Sequence, residues 1–395
     1  MTKSKIFFLF FNNLSKERLE WLNAILNQLN IQQKSPQYEI SFFLGGESLY
    51  SLLDKRTSHL WSKMLNNSQI KLYPDHNELR ILGLPSDLML EEFSGSKELS
   101  PNINLSSSSS FWDLIIENLM KEQFDSRIGL LQNDGPYMHR TSVYTVRLLN
   151  AAINRNLNTE FYGYLDGVHI GHKGQKPSEF ENISQSLLNI KHKANDKNLE
   201  FSMYSCSRCG IARGYIRSPQ TQDFYLSDDT IPHFNFCNLN KIIEQFEKQH
   251  PILSSNSAIV LFEPQKDDLR PELTIFITNS PYASEWTFGG ISFAVASAMH
   301  KIHTQIIFIE NGVYGLIGEH QIGEKEKIFN LQDIIEATAD LENLKFFAHA
   351  PSLEKRNIIL SKKLKNISLI YNEDLTTIVL KNNRKCLYHK RIIFF

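Results

Sequence analysis

Four cysteines in 395 residues are too few to staple a domain together. Cys206, Cys209, Cys237 and Cys386 do not make the dense disulfide framework of small secreted proteins. Such sparing use points to a reducing cytoplasm, where a close pair is more often chemical than structural. Charge of one sign is also missing: the formal net charge is -1, so no global field draws the chain to nucleic acid or to acidic lipid. Nor is there an apolar run near the roughly 20 residues that span a bilayer. The opening "MTKSKIFFLFFNN" has a lysine-bearing head and a short apolar run. No small-residue cleavage site follows, so "IFFLFF" reads as a buried strand. A phosphate loop, a catalytic serine triad and a basic aromatic stripe are likewise absent, and "GGES" at Gly45 to Ser48 is too short to signal nucleotide binding.

What is present is alternation. "RIGLLQND" reads as a strand, followed by Val143, Val146, Leu149 and Ile153 on one helical face. "TEFYGYLDGV" is a second strand ending in the turn Asp166-Gly167. Pro177 and Ser178 then open a helix carrying Phe180, Ile183, Leu187 and Ile190. "LEFSMYS" is a third strand, which delivers Cys206 at its end. Leu239, Ile242, Ile243 and Phe246 form a further helical stripe before the strand "AIVLF". Strands alternating with helices predict an α/β fold, a mainly parallel sheet covered on both faces.

The pattern recurs. "LTIFITNSPYASEW" and "TQIIFIENGVYG" repeat the first two strands and their turns, and Pro281 stands as far from Gly312 as Pro136 from Gly167. The N-terminal third follows more loosely: "IFFLFF", a helix with Leu19, Leu22, Leu26 and Leu29 on one face, then "EISFFL". These landmarks predict three tandem α/β domains, 1–124, 125–265 and 266–395. The Ser-rich loop "SGSKELSPNINLSSSSS" belongs to the first, and the charged stretch "EPQKDDLRPE" links the last two.

At the end of the third strand lies "YSCSRCGIARGY". Cys206 and Cys209 can be half a metal site, a redox pair, a carrier thiol with a helper, or two buried small hydrophobes. A closed zinc site needs four ligands, and only His233 and Cys237 in "HFNFC" offer remote partners, so no metal and no cofactor are expected. A sulfur nucleophile must be a thiolate. A cysteine opening a helix meets unpaired backbone N–H groups that favour negative charge, to which Arg208 and Arg213 would add.

With these motifs the middle domain resembles the DsrE/DsrF-like family, especially its small YchN-like members. The likeness rests on "NDGPY", "LDGV", "GQKPSEFENISQSLL" and "CSRCGIARG", in that order. The C-terminal domain resembles the DsrF/TusC branch through "SPYASEWTFGGISFAVASA", "FIENGVYGLI" and "PSLEKRNI". The resemblance implies a DsrE-like fold in each domain and a cysteine that accepts sulfur as a persulfide and relays it. The family's carrier cysteine lies eight residues before the glycine of an Arg-Gly ending. Arg213-Gly214 places it at Cys206. Cys209 is then a resolving thiol, with Arg208, Arg213, Gly214, Asp166 and His169 lining the site.

The same count from Asn357 reaches His349, and the N-terminal stretch "KLYPDHNELRILG" has no cysteine, so neither outer domain carries a persulfide. His349 and His76 remain as proton donors or plain surface histidines, and His139 and His172 as pocket lining. Tyr137, repeated at Tyr282, reads as architecture. The implied function is a sulfur carrier or sulfurtransferase-like protein with sulfur donor and acceptor proteins as partners. Its implied form is a homo-oligomer, two copies giving six domains, without membrane or direct nucleic-acid contact. The alternatives are a non-catalytic assembly or binding protein of this fold, and a thiol–disulfide redox protein using Cys206 and Cys209.

Overall fold

Short runs rich in Ile, Phe and Leu become the buried strands, and the stretches with helical periodicity become the cover. The computed structural model describes residues 4–31, 38–84, 102–105, 108–120, 126–217, 224–247, 250–262, 272–380 and 390–395. Contacts divide the chain into two units: a larger one (Lys5–Ser15 and Tyr38–Phe262) and a smaller one (Met1–Ser4, Lys16–Gln37 and Glu263–Phe395). The fold is mixed α/β, built on mainly parallel sheets flanked by helices. The stretches around 124–125 and 265–266, where the sequence places its domain limits, lie outside the described residues.

In the larger unit the strands are β1 (Ser4–Phe10), β2 (Tyr38–Leu44), β3 (Ile70–Pro74), β4 (Arg127–Gln132), β5 (Asn158–Gly163), β6 (Phe201–Cys206), β7 (Phe224–Tyr225), β8 (Phe234–Cys237), β9 (Ile252–Ser254) and β10 (Ser257–Phe262). One sheet runs β7-β8-β6-β5-β4-β9. Its strands are parallel apart from β7, which pairs antiparallel with β8. A second group runs β10-β1-β2-β3, with β10 antiparallel to β1 and β2 parallel to β3.

The smaller unit carries β11 (Glu272–Ile277), β12 (His303–Phe308), β13 (Leu344–His349), β14 (Ile367–Ile370) and β15 (Lys390–Phe394), ordered β14-β13-β12-β11-β15 and parallel throughout. The sequence β15-β11-β12-β13-β14 matches β9-β4-β5-β6-β8 strand for strand. Helix Lys16–Ile31, drawn from the N-terminal third, belongs to this unit, with Leu19, Leu22 and Leu26 buried.

Fine details bear out the correspondence between the two parallel sheets. Tyr137 and Tyr282 both take left-handed backbone, at φ 70° and 63°. Leu165 and Glu310 do so at 52° and 55°. A Cβ on Gly167 would fall 1.9 Å from the Gln132 carbonyl oxygen, and one on Gly312 1.9 Å from that of Ile277, so neither position admits a side chain. The tyrosines act alike as well. The Ile183 N–H donates to the Tyr137 hydroxyl, and the Leu331 N–H to that of Tyr282 at 3.1 Å. Each hydroxyl thereby satisfies an orphan donor at the start of a following helix.

Two local expectations need correcting. The helix anticipated from Pro177 begins at Ile183 instead, because Asn182 caps it by accepting from the Gln185 N–H. Phe180 is consequently left 73% exposed. The Ser-rich stretch is only partly loop among the described residues. Ile103 is buried and bridges to Leu72, and Ser108 opens helix Ser108–Met120. Its remainder, and most of the "EPQKDDLRPE" linker, lie outside the described residues.

Candidate functional site

Cys206 ends β6 and is the N-cap of the short helix Ser207–Ala212. Chain geometry there turns the next backbone N–H groups toward the sulfur. The Cys209 thiol donates to it and is the main influence holding the Cys206 thiol below its ordinary range. Burial opposes this, and the N–H groups of Cys209 and Arg208 reinforce it. Cys209 responds in the opposite sense: its bond to Cys206 and then its burial drive its own thiol far up. Both are buried, Cys206 at 2% exposure and Cys209 at 8%.

The remaining expected residues gather on the same sheet edge, in a charged arrangement. Arg213 ends the helix and reaches Asp166, with Nε 2.8 Å and Nη2 2.7 Å from Oδ1. Its guanidinium is thus engaged with a carboxylate, and Arg208 acts on Cys206 through its backbone N–H. His169 Nδ1 lies 2.9 Å from the Tyr215 hydroxyl and its Nε2 3.9 Å from Asp166. Burial lowers the His169 pKa, with Arg213 and His172 adding to the effect against Asp166. Gly214 has φ +80° with open space where a Cβ would be, so its part is to let the chain turn after the helix. His172 Nδ1 lies 3.1 Å from the Asp229 carbonyl oxygen.

Two groups at this edge escape sequence reasoning. Asp134, in the loop after β4, accepts from Thr141 Oγ1 at 3.1 Å, and burial raises its carboxyl. Cys237, at the end of β8, is the in-register neighbour of Cys206 and fully buried. Burial pushes its thiol up to about 12. The alternation of buried Phe234 and Phe236 with half-buried Asn235 marks β8 as a strand, but only the pairing with β6 brings its cysteine alongside. Cys386 lies outside the described residues. Among the described residues no group of three or more His, Cys, Asp or Glu is arranged to hold a metal ion. A cavity of about 540 Å³ opens nearby, lined by Tyr215, Arg217, Phe224, Asp229 and Asn235 among others, and none of the described cysteines lines it.

The matching positions elsewhere are occupied by other chemistry. In the smaller unit His349 is the N-cap of helix Ala350–Lys355, Ser352 stands where Cys209 does, and Asn357 takes the left-handed place of Gly214. The Glu310 N–H donates to Ser352 Oγ at 3.0 Å, as the Leu165 N–H donates to the Cys209 sulfur. Ser352 Oγ in turn donates to Glu17 at 2.7 Å and lies 2.9 Å from His349 Nδ1. Arg356 holds both Glu17 oxygens at 2.9 Å. Arg18 pairs with Glu310 at 2.8 Å, beside the indole of Trp21. Asn279 and Asn311 replace Asp134 and Asp166. This centre is a closed, internally satisfied polar network.

In the N-terminal strand-helix unit the N-cap is Asp75, which the sequence reading passed over for His76; eight positions before Gly83, it fits the same count. It caps helix His76–Ile81 through the N–H groups of Asn77 and Glu78. Glu78, the counterpart of Cys209, accepts from Arg140 at 2.8 Å and from Tyr144 at 3.2 Å. Burial and then Glu78 push the Asp75 carboxyl up to about 6.

No family model matches the chain, and no curated protein matches it.

Proposed function

We propose that this chain is a DsrE/DsrF-like sulfur carrier in which Cys206 accepts sulfane sulfur as a persulfide and hands it to a partner. One observation supports the reading above the others. Of three equivalent N-cap positions, Asp75, Cys206 and His349, one bears a thiol, and its surroundings favour the thiolate. In the loading step a donor persulfide gives its outer sulfur to the Cys206 thiolate, the donor leaves as a thiol, and Cys206 holds the new S–S bond. Discharge to an acceptor thiolate reverses these roles. Asp166, His169, Arg208, Arg213 and Gly214 shape the surrounding edge. Donor and acceptor are cytoplasmic proteins, and two copies of the chain assemble into one carrier.

Burial of Cys206 sets a condition: the sulfur must be reached through local opening or delivered by a small species. That condition favours a second reading, in which Cys206 and Cys209 cycle between dithiol and disulfide, since their mutual hydrogen bond already puts the sulfurs in contact. Intact mass after incubation with a persulfide donor separates them. A gain of about 32 Da, lost in Cys206→Ser, supports the carrier. No gain, with ready closure of a 206–209 disulfide, supports the redox pair, and inert thiols refute both. A stable monomer by native mass measurement refutes the two-copy assembly.

A further inference from the structure

Cys206 has a second sulfur beside it that belongs to neither the helix nor the motif. β6 and β8 pair in parallel with Cys206 opposite Cys237, Ser205 opposite Phe236 and Tyr204 opposite Asn235. In-register neighbours in a sheet carry their side chains on the same face, about 4.8 Å apart between strands. That spacing falls within the roughly 4.4–6.8 Å between Cα atoms that a disulfide bridges. On the far side of β8, β7 pairs Phe224 with Cys237, so the third thiol lies between two strands and is wholly buried. Cys206 is therefore flanked by thiols in two directions, by Cys209 along the helix and by Cys237 across the sheet.

We propose that Cys237 is a second resolving thiol, which traps oxidised Cys206 in a cross-strand disulfide. The oxidant is a hydroperoxide. The Cys206 thiolate attacks its outer oxygen, the O–O bond breaks, and Cys206 becomes a sulfenic acid as the peroxide departs as water or an alcohol. The Cys237 sulfur then attacks the Cys206 sulfur, the S–O bond breaks, and the oxygen leaves as water with the Cys237 proton. Two thiols have lost two electrons to one peroxide, and Cys206 is withheld from further, irreversible oxidation. Cys209 competes for the same sulfenic acid, so removing it exposes the contribution of Cys237. The step does not require the sulfur-carrier reading: it uses only the reactivity of Cys206 and the strand register.

Trypsin makes the test direct, because Arg208 separates Cys206 from Cys209, and Arg213 and Arg217 separate both from Cys237. Wild type and Cys209→Ser are treated with a molar excess of hydrogen peroxide, enough for the two equivalents that sulfinic acid formation consumes, blocked with N-ethylmaleimide under denaturing conditions and mapped without reduction. The expected product in Cys209→Ser is a peptide pair joining Cys206 to Cys237, with a minor share of the same pair in wild type. It disappears in Cys209→Ser/Cys237→Ala, where Cys206 proceeds to sulfinic acid. Thermal melts show whether the variants fold, and the wild-type map reads the pair directly should a variant fail. Cys206 left unoxidised, or carried to sulfinic acid while Cys237 is recovered as a blocked thiol, overturns the proposal. Cys237→Ala leaves the 32 Da loading of Cys206 unchanged, so the two readings fail independently.

Discussion

Replacing Cys209 with alanine removes the thiol that donates to Cys206, and the consequence is a measurable rise in the Cys206 pKa. A hydrogen bond to a charged group contributes about 1.5–3 kcal/mol. At about 1.4 kcal/mol per factor of ten, its loss raises the Cys206 pKa and disfavours ionisation by about 10- to 100-fold. The N–H groups of Cys209 and Arg208 persist in the variant and keep the shift near the lower figure. Cys209→Ser retains a donor and is expected to fall between. The assay is the pH dependence of Cys206 alkylation in a background where Cys237 and Cys386 are serine. Because the sulfur is buried, the absolute rate reports access as well as ionisation, but the profile's midpoint reports ionisation alone. Below the midpoint the rate falls by about three- to tenfold, less than the thiolate fraction does, since a more basic thiolate is intrinsically the better nucleophile. An unchanged midpoint in Cys209→Ala refutes the reasoning and leaves the helix amides as the sole support of the thiolate.

Three further outcomes follow from groups outside the thiol site. Glu160 is buried against Arg127, His250 and Tyr162; burial alone would raise its carboxyl, but these partners hold it at about 2. Its contribution to stability is present above about pH 4 and lost as pH falls through about 2. Glu160→Gln is expected to cost about 3–5 kcal/mol in urea unfolding at pH 7, with the difference shrinking toward pH 2. Asp75 has the opposite sign. With a folded pKa raised to about 6, its stabilising effect is complete below about pH 4 and is lost as pH rises through 6. Asp75→Asn keeps a capping oxygen and is expected to gain about 1–2 kcal/mol over wild type at pH 8 and nothing at pH 4; equal gains at both refute the assignment. Ser352→Ala leaves the buried Glu310 N–H without its acceptor and Glu17 with one donor fewer beside Arg356, at an expected cost of about 1–3 kcal/mol by thermal or urea unfolding.

Much of the fold was legible because it is written locally. Apolar runs marked β4, β5, β6, β11 and β12, and helical periodicity marked the stretches around Val146 and Ile242. The position of Cys206 could be read because an N-cap at a strand end is a short-range feature. Contacts between distant segments could not be read this way. Nothing near Cys237 announces that β8 pairs beside β6, and nothing near Lys16 announces that its helix belongs with residues 263–395. Asp75 was within reach, since the count that found Cys206 and His349 finds it too. Its neighbour His76 is the more conspicuous residue type, and an aspartate before a helix reads as an ordinary cap until its position is counted. The late start of helix Ile183–Asp196 is a contest between two signals, Pro177 and Asn182, in which a side-chain cap outweighed a favourable φ.

The amides of Leu165 and Glu310 have one more consequence. Each sits on a non-glycine residue in left-handed backbone and donates to the third residue of the neighbouring helix, a thiol in one case and a hydroxyl in the other. The main chain thus forms a socket wired in advance, indifferent to which side chain is plugged into it. Identity resides in a pair of residues three apart: cysteine with cysteine in one socket, histidine with serine in the other. One scaffold can therefore house a pair of thiols or a histidine–serine clasp without altering its frame, and exchanging the pair between sockets is a two-residue operation.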